Sequence, residues 1–298
     1  MQVVDRVRAL QALADSERRA GRRLALVPTM GALHEGHLSL VDEARRRADV
    51  VVLSIFVNPT QFGPSEDLER YPRPRERDLS LCRKAGVDVV FVPAAAEIYP
   101  EGSQTSVSVS ALESPLCGRS RPEHFRGVAT VVTKLLLAAK PHVAVFGEKD
   151  FQQLALIRRM ARDLLFDVEI VGAPIVREAD GLARSSRNVN LDPEARGQAV
   201  VLVRSLDAAE SALSAGENEA GALLDLVRAE IAHAPRAEID YVELCDPQTL
   251  EAAPARLEGP ALLALAVRFP PGPDAGGPPV RLIDNRLLHF KPQGEERP

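Results

Sequence analysis

His34 and His37 stand three residues apart in the stretch Pro28-Thr29-Met30-Gly31-Ala32-Leu33-His34-Glu35-Gly36-His37. On one helical turn that spacing puts both imidazoles on one face. Imidazoles at a helix start can donate hydrogen bonds to phosphate oxygens, more strongly if protonated. Gly36 lies between them without a side chain, so a flat ring or a phosphate can approach the backbone. A second reactive group is Gly147-Glu148-Lys149-Asp150-Phe151-Gln152-Gln153. There Lys149 can neutralise phosphate charge, and Asp150 sits where a carboxylate can meet a ribose hydroxyl or Mg²⁺. Gln153 follows Lys149 by four residues and shares its helical face. In Arg184-Ser185-Ser186-Arg187-Asn188, hydroxyls and guanidinium on a glycine-led loop make an anion clamp. Gln61, in Asn58-Pro59-Thr60-Gln61-Phe62, offers the paired donor and acceptor that suit a hydroxy acid. Arg121 and His124 belong to a loop with three arginines that suits an anion and open surface equally well.

These groups need elements to hold them. Leu24-Ala25-Leu26-Val27 predicts a buried strand, and Leu38, Val41 and Ala44 fall at helical spacing behind the histidines. The first group is therefore a strand, a glycine turn and a helix start. That geometry aims backbone N–H groups and the positive helix end at an anion. His142-Val143-Ala144-Val145-Phe146 running into Gly147 predicts the same arrangement again. Val50–Phe56 reads as a strand buried on both faces, with Gln61 beyond its end. Ligands of open α/β sheets lie at the carboxyl ends of strands, so Gln61 is expected in the same cleft as the histidines. Further strands are expected at Val87–Val92 and Val168–Val171, an edge strand or arm at Ser103–Leu112, and helices near 3–20, 75–85 and up to 139. The charges of Glu66–Arg73 read as a solvated loop.

After Leu191 the texture changes. Asp192 and Pro193 open a helix, and Ala/Leu-rich helices run to about 234. Strands are expected near 237–244, 259–267 and 280–284, with a flexible loop at Pro270–Pro279 and a frayed tail at Gly294–Pro298. Alternating strands and helices, then this tail, predict an α/β chain. Its Rossmann-like parallel sheet, residues 1–177, would be catalytic, and residues 178–298 would form a smaller α+β lid.

Composition narrows the function. The net charge of −5 argues against a nucleic-acid partner. Cys82, Cys117 and Cys245 are too scattered for a disulfide framework or metal cluster, which suggests a reducing cytoplasm. No apolar run approaches the ~18 residues of a membrane span. Of the 37 Lys and Arg residues only five are Lys, so Lys149 inside a motif hints at a need for a compact ammonium.

The His-x-Gly-His string is similar to the signature of the nucleotidyltransferase superfamily. The longer string through Pro28, with Asn-Pro-x-Gln-Phe at 58–62, Arg-Pro-x-His-Phe-x-Gly-Val at 121–128, Gly-Glu-Lys-Asp at 147–150 and Ser-Ser-Arg-Asn at 185–188, resembles the pantothenate synthetase (pantoate–β-alanine ligase) family. A weaker echo stands at Arg281–Asn285. The resemblance implies ATP-dependent condensation of pantoate with β-alanine through a pantoyl adenylate, with Mg²⁺ on the ATP phosphates. It implies catalytic roles for His34, His37 and Lys149, and pantoate or β-alanine contacts for Gln61 and Gln153. ATP contacts would come from Met30, Gly31, Ala32, Leu33, Glu35, Gly36, Gly147, Glu148, Asp150, Val176, Arg184, Ser185, Ser186 and Arg187. It also implies a homodimer, with the segment near 103–112 at the contact. The family commonly has Met where this chain has Arg184. Two other readings stay open: a nucleotidyltransferase that leaves its nucleotide on another small acceptor, and a non-catalytic ATP-binding regulator. A tRNA synthetase is disfavoured by the acidic charge and the lack of an anticodon-binding extension.

Overall fold

The computed structural model describes residues 1–63, 68, 69, 71–272 and 277–290. The surface reading at Glu66, Asp67 and Arg70, the middle of the Pro270–Pro279 loop and the tail Gly294–Pro298 fall outside them. The chain divides into two compact units, Met1–Ser114 with Gly118–Val176, and Pro115–Cys117 with Arg177–Pro298.

The first unit is built on six parallel strands: β1 (Gln2–Val4), β2 (Leu24–Thr29), β3 (Val50–Ile55), β4 (Val89–Phe91), β5 (Val143–Gly147) and β6 (Glu169–Ala173). Their order is β1-β4-β3-β2-β5-β6. β2 and β3 carry the fully buried runs Leu24–Val27 and Val51–Leu53, as strands covered on both faces must. Parallel strands need crossovers, and here helices supply them, including Glu35–Arg47, Arg75–Lys84, His124–Ala139 and Phe151–Asp163. The chain moves outward from β2 through β3 to β4, then returns to place β5 and β6 on the other side of β2. The winding therefore reverses between β2 and β5, and a crevice opens at such a switch point. Leu26 pairs with Ala144. Three residues further on, Thr29 and Gly147 end their strands at the same level, so both strand-to-helix turns leave the sheet together.

Two expectations are corrected. The helix predicted from residue 3 begins at Val7, and Gln2–Val4 is the edge strand β1, paired with β4. The spacing of Val3 and Val7 mimics a helix, but two β-branched residues in succession suit a strand, and the Glu97 carboxylate accepts the Val7 N–H at 2.8 Å where the helix starts. Of the two readings of Ser103–Leu112, edge strand or arm, the strand is excluded. The Val107 N–H donates to Thr130 Oγ1 at 2.9 Å and the Val109 N–H to Glu113 Oε1 at 2.6 Å. Side chains thus satisfy these amides in place of a strand ladder, and Ser110–Glu113 forms one helical turn.

The second unit has its own core. Strands β7 (Glu238–Cys245), β8 (Pro260–Phe269) and β9 (Val280–His289) form an antiparallel sheet with β8 in the centre. Leu263, Leu265 and Val267 of β8 share a core with Leu202 and Leu206 of helix Val201–Ser214 and with Leu223, Val227 and Ile231 of helix Ala220–Ile231. Asp192 caps the helix Pro193–Gln198 by accepting the Ala195 N–H at 3.0 Å. Among the described residues no helix is long and apolar enough to cross a membrane.

Candidate active site

The turn after β2 is held from several sides. Thr29 Oγ1 donates to the Ser54 carbonyl at 2.7 Å and accepts the Gly31 N–H at 3.1 Å. Gly31 has φ +84°, and an added Cβ would meet Asp78 and Ile55 at 3.0 Å, so glycine is required. The buried carboxylate of Asp78, on helix Arg75–Lys84, accepts the Ala32 N–H at 2.8 Å and the Leu33 N–H at 2.9 Å. Leu33 anchors the turn in the core beside Val27 and Val41.

His34 is the N-cap of helix Glu35–Arg47. Its Nδ1 accepts the Gly36 N–H at 3.1 Å, and its own N–H donates to His37 Nδ1 at 3.3 Å. The rings lie 4.1 Å apart, centre to centre. This reciprocal arrangement is a capping box made of two histidines. Because Nδ1 accepts in both rings, each neutral ring carries its proton on Nε2. Burial pushes the His37 imidazole down to about 3, helped by His34 and Lys149, while Asp150 pulls the other way. That same balance places Lys149 and Asp150 within electrostatic reach of His37.

The expected cradle of free backbone amides is corrected here. The N–H groups of Gly31, Ala32, Leu33, His34, Gly36, His37 and Leu38 are all spent inside the protein. The turn instead presents imidazole Nε2–H donors, and burial holds the His37 ring neutral. Glu35 is exposed in the first helical turn, where its charge suits the helix dipole.

Gln61 ends the short 3-10 turn Pro59–Gln61 and is buried. Asn58 Nδ2 donates to Gln61 Oε1 and to the Gly127 carbonyl, both at 3.1 Å. Tyr99 Oη donates to Asn58 Oδ1 at 2.8 Å, which fixes the amide of Asn58. Gln61 Nε2 then points at Met30 Sδ, 3.1 Å away. A thioether is a weak acceptor, so a ligand oxygen would displace it readily. His124 Nδ1 donates to the Gln61 carbonyl at 2.8 Å, which can only accept, and Arg121 also reaches that carbonyl at 3.4 Å. Arg121 and His124 therefore brace the backbone of Gln61.

Lys149 and Asp150 follow β5 in a 3-10 turn, Lys149 half-buried and Asp150 exposed. Of the two glutamines beyond, Gln152 is buried and donates to the Leu112 carbonyl at 3.0 Å, and Gln153 is half-buried. Val176 is the last residue of the first unit.

Arg184–Arg187 belong to the second unit. Ser185 turns the loop locally: its Oγ accepts the Arg187 N–H at 3.2 Å, and its carbonyl accepts the Asn188 N–H at 3.1 Å. Arg184 pairs with Glu178 at 3.3 Å. The same carboxylate holds Asn188 at 2.7 Å and Arg196 at 2.8 Å. Burial pushes Glu178 up, but those hydrogen bonds outweigh it and its carboxyl lies below the ordinary range. The position thus has a protein partner that neither a phosphate contact nor open solvent anticipates.

Asp78, Asn58, Tyr99 and Gly127 carry the site and were not singled out by sequence reasoning. The only signal for Asp78 is its place on the Leu79 and Cys82 face of its helix. No group of three or more His, Cys, Asp or Glu among the described residues could hold a metal ion.

The family model described as pantoate-beta-alanine ligase matches residues 2–287. A pantothenate synthetase of Desulfatibacillum aliphaticivorans is 53% identical over 97% of this chain and 99% of its own length. One from Geobacter sulfurreducens is 52% identical over the whole of both chains. The crystal structure of the pantothenate synthetase from Thermus thermophilus superposes with a TM-score of 0.89 at 46% identity, covering 97% of this chain and 100% of that one. The pantoate-beta-alanine ligase of Francisella tularensis, complexed with beta-gamma ATP and β-alanine, gives 0.75 at 32% identity, covering 96% and 97%.

Proposed function

The chain belongs to the pantoate–β-alanine ligase family, and from that premise we propose how its own residues carry the reaction. It is an ATP-dependent ligase that joins pantoate to β-alanine and so makes pantothenate. In the proposed course a pantoate carboxylate oxygen attacks the α-phosphorus of ATP and pyrophosphate leaves. The amine of β-alanine then attacks the acyl carbon of the pantoyl adenylate, loses a proton, and AMP departs. The first step brings two anions together, so the protein must offset their repulsion.

His34 and His37 do this as Nε2–H donors to the phosphates, and Lys149 adds positive charge. Ser185, Ser186 and Arg187 serve as further phosphate donors, with Val176, Gly147, Glu148 and the Met30–Leu33 backbone bordering the nucleotide. The observation that carries this reading is the histidine capping box at the switch point. It fixes both tautomers before any ligand arrives, so no reorganisation is needed during reaction. Gln61 offers Nε2 to the pantoate carboxylate, and Gln153 holds the other side in line for attack. Mg²⁺ would neutralise the phosphates it travels with, and Asp150 is the carboxylate beside the histidines that would meet it. Homodimerisation and a cytoplasmic location belong to this reading through the family resemblance.

The test is pyrophosphate release from ATP and pantoate, with and without β-alanine. A burst with pantoate alone, turning into steady production of AMP and pantothenate when β-alanine is added, is the expected result. Absence of pantoate-dependent pyrophosphate would assign the His pair to a different small acceptor.

A further inference from the structure

We propose that Asp78 is a positioning residue for the reaction. Its carboxylate fills the anion nest of the Gly31–Leu33 turn from inside the protein, and so sets where the two imidazoles stand. The inference rests on the function proposed above and deepens it.

Successive backbone N–H groups in a turn can converge on a concavity suited to an anion. Gly31 at φ +84° and Ala32 at φ +51° make such a concavity after β2. In a phosphate-binding loop the ligand fills it. Here Asp78 does, with Oδ2 at 2.8 Å from the Ala32 nitrogen and Oδ1 at 2.9 Å from that of Leu33. The carboxylate is only 1% exposed, so no solvent anion competes for the place.

Ala32 lacks the freedom of glycine, and its positive φ needs an imposed constraint. The two hydrogen bonds to a charged acceptor supply it. Leu33, the second residue held, is covalently followed by His34, whose N–H orients His37. A continuous path therefore runs from Asp78 through the Leu33 amide to both imidazoles. Loss of one carboxylate oxygen would let the turn relax and carry the Nε2 atoms away from their places. Misplacement by about 1 Å costs on the order of 10²-fold in rate.

The experiment compares Asp78→Asn, Asp78→Glu and Leu79→Ala with the wild type. Leu79 lies on the same helix and is buried, but touches no turn amide in the contacts above. Pyrophosphate release by the wild type is measured first, and its absence overturns the function, not the geometry. With that activity present, Asp78→Asn lowers kcat/KM for ATP by about 10²-fold. The KM for β-alanine stays within about twofold, because its attack does not use the turn. Hydrogen exchange at the Ala32 and Leu33 amides, slow in the wild type, becomes fast. Leu79→Ala lowers the melting temperature but leaves kcat/KM for ATP within about threefold. If Asp78→Asn does not fold, Asp78→Glu carries the test, since it keeps the charge but shifts it by one methylene. Wild-type kcat/KM for ATP in whichever variant folds overturns the proposal. So does an equal loss in Leu79→Ala, which would make Asp78 a general support of the fold.

Discussion

A histidine that stays neutral far below its ordinary titration range is an unusual donor for a polyphosphate, and His37 is one here. With Nδ1 accepting a backbone N–H, a second proton on the ring would face another donor. Burial adds to this, and the imidazole is pushed down to about 3. Folding therefore favours the neutral ring. The unfolded chain takes up a proton as pH falls through about 6.5, while the native state takes one only near 3. Stability from this residue is thus complete above about 6.5 and declines between there and 3. The expected result by ¹⁵N NMR is that His37 keeps a single Nε2–H tautomer from pH 8 to 5; a midpoint near 6.5 would refute it. His37→Ala should lower single-turnover adenylation by about 10²-fold or more, the scale of losing a key transition-state donor. Lys149→Ala should do likewise, with the fold retained. Arg184 is the opposite case. Its partner Glu178 keeps Asn188 and Arg196 when Arg184 is removed, and a partly exposed pair contributes only about 0–1 kcal/mol. Arg184→Met should therefore leave kcat/KM for ATP within about threefold. A larger loss of ATP affinity would identify Arg184 as a phosphate ligand.

Helix His124–Ala139 crosses the turn Pro59–Gln61 at close range. A Cβ on Gly127 would sit 2.4 Å from the Thr60 carbonyl oxygen and 2.8 Å from the Gln61 Cα. Alanine gains about 1 kcal/mol of helix propensity over glycine. Overpacking against backbone costs about 1–3 kcal/mol, so the clash wins. Gly127→Ala should lower the urea midpoint and raise the KM for pantoate, since the helix would push Gln61 aside. An unchanged pantoate KM would separate Gln61 from pantoate binding. The strand-turn-helix around His34 was legible because an apolar run, a glycine and a helical repeat coincide within about 20 residues. Asp78 was not, because it follows a run of charges that reads as solvated, and only the fold reveals that its helix presses on the turn. β1 was missed for a related reason: three residues are too few for a period, and the Val3–Val7 spacing imitates a helix.

At the scale of the molecule, the clusters around β8 and around β2 and β3 share no residues, so damage to one can be read apart from the other. Among the described residues of the C-terminal unit, the Asp284 carboxylate is the acceptor of a deeply buried charge pair. Arg177 donates to both oxygens of Asp284, at 2.7 and 3.0 Å, and the Asp284 side chain is 0% exposed. Asp284 also accepts the Asn285 N–H at 2.8 Å. A surface ion pair would contribute little, but removing one partner of a buried pair costs about 3–5 kcal/mol. Asp284→Ala leaves the Arg177 guanidinium with only the Gly181 carbonyl, at 3.0 Å, and takes the carboxylate from the Asn285 N–H. The expected consequence is faster hydrogen exchange in β7, β8 and β9 and in the helices Val201–Ser214 and Ala220–Ile231, which share one core. The amides of β2 and β3 should exchange as in the wild type, because their core is built from other residues. Equal acceleration in β2 and β3 would mean that the chain unfolds as a single cooperative body. In that case the histidine turn would depend for its stability on an ion pair in the other unit.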